Sequence, residues 1–217
     1  MTTYATSENT RANLIMAAGE LFAEYGIDAV TTRGIAEKAG ENIGIIHYHF
    51  GGKEGLIEAV VEFACELWKD NPLGTYFESH RDLLKNREGQ RILITELIRI
   101  FLSRVFSSVK PLWCGTLVFQ LTQRDLDISK KTFNYVAVPN IAVFMEVYRF
   151  ASGDTDRERA YHWSMSIIAP AVLITVNPHA FPRTFGGNSP SGDFMAKLEA
   201  LCVHNALSSI DFFSQAK

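Results

Sequence analysis

The sequence contains little cysteine. Only Cys65, Cys114 and Cys202 occur among its 217 residues, and they lie far apart. Their number is odd and no Cys-x-x-Cys pair occurs, so the spacing indicates neither a disulfide framework nor a zinc site. The three thiols are therefore predicted to be buried core side chains.

A long hydrophobic run is also missing. The longest nearly apolar stretch, residues 165–176, is far shorter than the roughly 20 residues that cross a bilayer. It predicts a deeply buried helix instead. Residues 1–7 are polar and lack the basic start and apolar centre of a signal peptide. We expect a soluble, cytoplasmic protein with no membrane partner.

The chain has no excess of positive charge. It carries 21 lysines and arginines against 24 aspartates and glutamates, a net charge of −3. Residues 1–53 hold four basic side chains against six acidic ones, so that segment is acidic too. Charge alone therefore gives no indication of a nucleic-acid partner, and any such function must be argued from other features.

Motifs of catalysis are missing as well. Gly51, Gly52 and Lys53 fail the spacing of a phosphate-binding loop, and Glu54 stands where that loop has serine or threonine. His47 and His49 are two residues apart, so on a helix they point to different faces and cannot form a metal pair. Neither His-Glu-x-x-His nor Gly-x-Ser-x-Gly occurs. We predict no cofactor, no metal and no enzymatic activity.

What the sequence does contain is apolar residues at helical spacing, which predicts an all-α fold. One face of the first helix carries the set Leu14, Ile15, Ala18, Leu21, Phe22 and Tyr25. Gly26 ends that helix in the left-handed conformation that favours glycine. A second, short helix begins after Thr31 or Thr32, and a third begins at Asn42. A fourth is predicted over residues 53–69.

The remaining two thirds of the chain is also predicted to be mostly helical. Residues 71–89 are polar and contain Pro72, Gly74 and Gly89, which predicts a loop or a frayed helix. Helices follow over about 90–108, 115–124, 128–151 and 155–176, and Pro139 and Pro170 should kink or interrupt two of them. A loop over 177–192 precedes a last helix over 193–215. Together these segments predict a three-helix N-terminal helix-turn-helix domain and a C-terminal helical bundle.

Residues 31–50 have the spacing of a helix-turn-helix motif, in which two short helices are joined by a tight turn that contains glycine. Ala39 permits close crossing of the two helices, and Gly40 lets the chain reverse. Ile35 and Ile46 are predicted to meet in a small core against the first helix, with Phe50 closing it.

The outer side of the third helix carries more apolar and aromatic groups than a solvated surface needs, namely Ile43, Gly44, Ile45, His47, Tyr48 and His49. An α-helix fits the major groove, where isoleucine can touch thymine methyl groups and polar side chains can bind base edges or phosphates. Helix N-termini near Thr32 and Asn42 would add N–H donors for phosphate oxygens. The alternative is that these residues pack on a neighbouring helix.

The runs TTRGIAEKAG (residues 31–40) and NIGIIHYHFGGKEGL (residues 42–56) resemble the DNA-binding signature of the tetracycline-repressor (TetR) family. The resemblance extends without gaps over about residues 10–57. It implies a homodimer whose two recognition helices lie about one DNA turn apart and read a pseudo-palindromic operator. It further implies that Thr32 and Arg33 touch the DNA backbone or a base, that Asn42, Ile43, Gly44 and Ile45 face bases, and that Tyr48, His49 and Lys53 hold phosphates.

Three positions depart from the family pattern. Glu41 stands where the family has a small apolar residue, His47 stands where it has tyrosine, and Ile43 replaces a commonly polar residue. The first two departures bear on which side chains contact phosphates.

The resemblance also implies that the C-terminal bundle encloses an effector pocket and that the last two helices pair across a dimer axis. The final helix is apolar around more than half its circumference, which suits such an interface; an enclosed monomeric core is the alternative. Predicted effector contacts are Trp113, Phe119, Gln120, Gln123, Tyr135, Phe144, Tyr148 and His162, with Asn134 and Trp163 as further candidates. Each of them is alternatively a plain core residue.

We therefore interpret residues 1–53 as a DNA-binding domain and residues 54–217 as an effector-binding and dimerisation domain. The predicted function is a ligand-responsive regulator, a repressor, that an apolar or aromatic small molecule releases from its DNA operator. Two alternatives remain open. One is a helical enzyme with an inert helix-turn-helix, and the other is a dimeric protein that grips a protein partner with residues 43–49.

Overall fold

The computed structural model describes residues 2–107, 110–122, 127–176, 184, 186 and 190–215, and no strand occurs among them. The all-α prediction is confirmed. The helices are α1 (Thr2–Tyr25), α2 (Thr32–Ala39), α3 (Ile43–Phe50), α4 (Lys53–Glu66), α5 (Pro72–Ser79), α6 (Arg87–Val105), α7 (Leu112–Thr122), α8 (Asp127–Ser152), α9 (Arg157–Val176) and α10 (Gly192–Gln215), with a 3₁₀ turn over Arg81–Lys85.

The chain forms two compact units, one of residues 1–69 with 108–135 and the other of residues 70–107 with 136–217. The first unit contains α1 to α4, α7 and the start of α8. Its core joins the helix-turn-helix to α4 and α7 through fully buried Leu14, Phe22, Ile35, Ile46, Leu56, Val60 and Leu117. The functional boundary after residue 53 stays a prediction.

The second unit is built around a buried cluster of aromatic rings. Phe144 lies edge-on to both Phe101 and Trp163, with ring centroids 5.9 and 6.3 Å apart. The indole N–H of Trp163 donates to the carbonyl of Ala206 at 3.0 Å, so α9 is tied to α10 in the core. Leucine and isoleucine side chains of α6 fill the space around these rings. The unit is therefore held by burial of large apolar side chains.

The first helix buries most of its predicted face. Leu14, Ile15, Ala18 and Phe22 are buried, and Gly26 adopts φ 82° just after the helix. Tyr25 is the exception, since it is 60% exposed. Helical spacing placed Tyr25 at the rim of the apolar face, three residues past Phe22, and no neighbour covers it there. Its assignment to the core is wrong.

Residues 71–89 are more regular than predicted, because polar residues here cap helices rather than break them. Asn71 accepts a hydrogen bond from the N–H of Gly74 at 2.9 Å, and Pro72 fills the first helical position, where no N–H is needed. Leu73 and Phe77 then bury the inner face of α5. Asn86 caps α6 in the same way through Gly89, at 2.8 Å.

Pro139 and Pro170 do not interrupt α8 and α9, which continue on both sides of each ring. A proline inside a helix removes one backbone hydrogen bond, and burial of the flanking turns keeps both helices continuous. Val143, Phe144 and Val147 follow Pro139 on the buried face of α8, and Ile167 and Ala171 flank Pro170 on α9. The loop predicted over 177–192 lies mostly outside the described residues.

The cysteines lie apart and form no disulfide among the described residues. Cys114 and Cys202 are buried as predicted, whereas Cys65 is half-buried. Burial raises the pKa of the Cys114 thiol to about 12, so this side chain stays protonated and behaves as a small apolar group. Within the described ranges no helix is long and apolar enough to cross a membrane.

Candidate nucleic-acid interface

Both ends of α2 are closed by local interactions. The side chain of Thr31, rather than Thr32, caps the helix and accepts a hydrogen bond from the N–H of Gly34 at 3.1 Å. Gly40 takes φ 70° at the other end, and its N–H and that of Glu41 bond back to the last turn. Only three residues therefore separate α2 from α3, so the two helices are held in a fixed arrangement.

The third helix is capped in the same manner. The amide oxygen of Asn42 accepts from the N–H of Gly44 at 2.9 Å, and Gly51 ends the helix at φ 72° with its N–H bonded to the carbonyl of His47. An eight-residue helix is too short to be stable alone. Caps at both ends and burial of Ile46 hold it in place.

The opposite side of α3 faces solvent. Ile43 is 47% exposed and Tyr48 is 79% exposed, while Gly44 and His47 are exposed and Ile45 and His49 are half-buried. The sequence left open that these residues pack on a neighbouring helix of the chain. Ile43 and Tyr48 do not, because both are exposed. A short, rigid helix with exposed isoleucine, tyrosine and histidine side chains has the shape and chemistry that a major groove accepts.

The first helix braces both ends of α3. The hydroxyl of Thr10 donates to the carboxylate of Glu41 at 3.1 Å, just before α3 begins. The guanidinium of Arg11 lies over the ring of Phe50, 5.3 Å from its centroid, where α3 ends. Glu41, which departs from the family pattern, thus has a structural partner that the sequence did not reveal.

Two positive groups of this region have acidic partners. Arg33 pairs with Glu37 at 2.9 Å on α2, and Lys38 pairs with Glu20 of α1 at 3.0 Å. The Glu20 carboxylate raises the pKa of the Lys38 ammonium, so Lys38 stays charged. The side chain of Arg33 is 80% exposed. It can therefore exchange Glu37 for a phosphate, while Thr32 and Lys53 are half-buried beside the helix N-termini.

The predicted effector residues are divided between the two units. In the first unit Trp113 is buried, Phe119 and Gln120 are half-buried and Tyr135 is 45% exposed. In the second unit Phe144 and Tyr148 are fully buried and His162 is exposed. Gln123 lies outside the described residues. Their role as effector contacts stays a prediction.

Several of these side chains have partners within their own unit. Gln120 donates to the carbonyl of Ala23 at 2.9 Å, and Trp113 stacks on Phe63 with centroids 5.9 Å apart. The hydroxyl of Tyr148 donates to Asp154 at 3.0 Å. His162 instead lines an open groove of about 300 Å³ on the second unit, together with Met145, Arg157, Glu158 and Tyr161. The sequence did not indicate that groove.

Among the described residues no three histidine, cysteine, aspartate or glutamate side chains lie close enough to hold a metal ion.

Comparison with known proteins relates part of this chain to a family. Residues 14–60 match the family of bacterial regulatory proteins named tetR. The chain is 40% identical over 95 residues to CecR, a dual transcriptional regulator of Shigella flexneri. The matched region is 42% of this chain and 40% of CecR. The chain is 29% identical over 107 residues to the regulator SrpR of Pseudomonas putida, covering 49% and 48% of the two chains. The match thus relates residues 14–60, which contain α2 and α3, to the tetR family.

The fold of most of the chain is similar to that of solved transcriptional regulators. HlyIIR, a hemolysin II transcriptional regulator, matches with a TM-score of 0.56 at 19% identity, over 90% of this chain and 97% of that one. A transcriptional regulator of Aquifex aeolicus matches with a TM-score of 0.50 at 16% identity, over 90% and 96%. At these identities the likeness shows the fold alone. The sequence matches span less than half the length of CecR and SrpR.

Proposed function

We propose that this chain is a ligand-responsive transcriptional repressor of the TetR family that binds a pseudo-palindromic DNA operator as a dimer. The observation that carries the proposal is the exposed face of α3. Isoleucine and tyrosine side chains stand in solvent on a helix that is capped at both ends and fixed by one buried isoleucine. An element that exposes so much apolar surface needs a partner, and the major groove fits its width.

Contacts to the operator are proposed for the residues that the family resemblance names. Ile43, Gly44 and Ile45 would reach base edges, while Tyr48, His49 and Lys53 would hold phosphates together with the N-terminal N–H groups of α2 and α3. Few cations are available, so helix N-termini and neutral donors would carry more of the phosphate binding than in a basic repressor.

Dimerisation is proposed through α9 and α10. Leu198, Cys202, Ala206 and Ile210 of α10 are buried within the unit, yet Leu201 on the same helix is 55% exposed. Leu173 on α9 is 63% exposed. Large aliphatic side chains on two neighbouring helices would be covered by the same surface of a second copy. Two copies would then present two recognition helices to one face of the DNA.

Release by a small molecule is proposed to work through the C-terminal helices, from residue 54 onward. The effector, an apolar or aromatic molecule, would bind one arrangement of the dimer more tightly than the other. This difference in effector affinity sets the largest change in operator affinity, commonly about 1–3 kcal/mol. Relief of repression is the direction that we propose.

Selection of bound duplexes from random DNA tests the proposal. The expected result is a two-fold symmetric site that wild-type protein binds and that Tyr48→Ala binds at least about tenfold more weakly. Sedimentation at the same concentrations should give a dimer. A protein that dimerises but retards no duplex would overturn the DNA-binding role and favour a protein partner for residues 43–49.

A further inference from the structure

Helix α7 makes an unusually close contact with α1. A Cβ atom on Gly19 would lie 2.5 Å from two ring carbons of Trp113, a distance that real side chains do not tolerate. The indole of Trp113 therefore lies directly on the backbone of α1. It is 7% exposed, so this contact is part of the core of the first unit.

A second bond joins the same two helices. Gln120 donates from its amide nitrogen to the carbonyl of Ala23 at 2.9 Å. Ala23 belongs to the last turn of α1, where carbonyls have no partner within the helix. Gly19 and Ala23 are four residues apart and Trp113 and Gln120 are seven apart, so each pair lies on one face of its helix. The contact therefore runs along both helices.

Trp113 also touches α4. Its ring stacks on Phe63 with an interplanar angle of 28°. The indole thus lies between α1 and α4, the two helices that carry the helix-turn-helix. Its Nε1 is buried and meets no acceptor among the described residues. Packing alone holds the ring in place, and no hydrogen bond of the ring opposes a shift of α7.

The first helix contacts α2 and both ends of α3. Glu20, next to Gly19, is paired with Lys38 of α2. At its other end α1 holds Glu41 through Thr10 and Phe50 through Arg11, on either side of α3. A displacement of α1 would therefore act on α2 and α3 through these three contacts.

We propose that Trp113 is a positioning residue for DNA binding. By lying in the notch left by Gly19, it couples the position of α7 to that of α1 and so to the recognition helix α3. This inference rests on the proposed DNA-binding function and adds a route of regulation to it. The route runs through α7 and α1.

The test is a double-mutant cycle of Gly19→Ala and Trp113→Leu. Affinity is measured by fluorescence anisotropy with a duplex selected by the wild-type protein. Gly19→Ala displaces the indole and should weaken binding about tenfold. In the Trp113→Leu background the same alanine should change affinity less than about twofold, because the clash is gone. Gly192→Ala is the matched control, since its added Cβ has no neighbour within 4 Å.

Thermal unfolding separates positioning from stability. A merely structural contact would lower the melting temperature of Gly19→Ala and leave the affinity of the folded protein unchanged, which would overturn the proposal. Should Gly19→Ala fail to fold, Gln120→Leu removes the bond to Ala23 without inserting an atom near Trp113. That variant should bind the duplex about three- to tenfold more weakly, and unchanged affinity would again overturn the proposal.

Amide hydrogen exchange of the free protein distinguishes this proposal from the proposed function. Gly19→Ala should speed exchange in α2 and α3, whereas Gly192→Ala should not. If wild-type protein selects no duplex, the proposed function fails, and the exchange data still decide the coupling. Unchanged exchange in α2 and α3 would refute it.

Discussion

The helix-turn-helix and the C-terminal unit reach a fixed structure by different means. Helices α2 and α3 have eight residues each, and side-chain caps at Thr31 and Asn42 and left-handed glycines at Gly40 and Gly51 set their ends. The second unit consists mainly of helices of about 20 residues around a cluster of aromatic rings. Local interactions dominate in the first case, and burial dominates in the second.

This difference explains the pattern of similarity to other proteins. The family match covers residues 14–60, whereas the fold match to HlyIIR covers 90% of the chain at 19% identity. A cap or a groove-facing side chain demands a particular residue at a particular position. A buried position demands only an apolar side chain of about the right volume. The first region can therefore be identified from its residues, and the second mainly from its shape.

The largest effect is expected in the aromatic core of the second unit. Trp163 is 2% exposed and donates to Ala206, so Trp163→Ala leaves a cavity and removes the bond that ties α9 to α10. We expect the free energy of unfolding to fall by about 3–5 kcal/mol, measured by urea denaturation. Tyr161→Ala, on the exposed side of the same helix, is the control. A loss below about 1 kcal/mol for Trp163→Ala would mean that burial of this ring does not hold the unit.

A smaller loss of stability, with a defined pH dependence, is expected at Asp154. This buried carboxylate accepts two hydrogen bonds from Arg159, at 2.5 and 3.0 Å, and one each from Tyr148 and the N–H of Asp156. The Arg159 guanidinium, followed by the N–H of Asp156, holds the pKa of Asp154 well below its usual range. The folded state therefore favours the charged form of Asp154. The contribution of this carboxylate to the free energy of unfolding is complete above the ordinary carboxyl pKa of about 3.9.

Asp154→Asn should lower the melting temperature by several degrees at pH 7. The difference from wild type should shrink as the pH falls from about 5 towards the depressed pKa of Asp154, because the wild-type carboxylate then also becomes neutral. The control is Asp193→Asn, which removes an exposed carboxylate of α10 that pairs with Lys197. A difference that stays constant from pH 7 to pH 3 would contradict the assignment.

A substitution on the exposed side of α3 should lower DNA affinity and leave stability unchanged, the reverse of what we expect for the core. Tyr48 is 79% exposed, so Tyr48→Ala should change the free energy of unfolding by less than about 0.5 kcal/mol. Its affinity for a selected duplex should nevertheless fall about tenfold, since the proposed DNA contact of Tyr48 is lost. Phe133→Ala, an exposed aromatic on α8, should alter neither quantity. A Tyr48→Ala protein that is strongly destabilised would blur the contrast between the two regions.

The smallest effect is expected from the ion pair on α2. Glu37 holds Arg33 at 2.9 Å and would have to release it to a phosphate. Glu37→Gln should therefore tighten binding to any duplex about two- to fivefold, the range of an exposed ion pair. The gain should vanish at high salt. Glu58→Gln on α4 is the control, since it removes one negative charge away from Arg33. An equal gain in DNA affinity for Glu58→Gln would mean that net charge, and not release of Arg33, causes the effect.

Much of the fold follows from the sequence because its signals are local. Apolar spacing gave the helices, and Gly26, Gly40 and Gly51 end three of them at positive φ as glycine permits. Expectations failed where a local signal had two meanings. Asn71 and Pro72 were read as loop residues, yet the same residue types begin α5 once Leu73 and Phe77 find a core. Tyr25 continued an apolar stripe but has no neighbour to cover it.

The candidate DNA-binding side chains were also accessible from sequence, because a short helix buries one side and shows the other. Partners distant along the chain were not. Nothing in the spacing reveals that Thr10 holds Glu41 or that Lys38 pairs with Glu20, since both bonds depend on how α1 crosses the motif. For the same reason the predicted effector residues could not be sorted into one site.

The sequence by itself determined the helical class and the side of α3 that faces solvent, since periodicity, caps and turn glycines act over a few residues. Only the tertiary structure decided which distant residues meet. Gly19 carries no side chain because the indole of Trp113, 94 positions along the chain, fills that space. Close packing joins such pairs, and packing is a property of the whole fold and not of any segment.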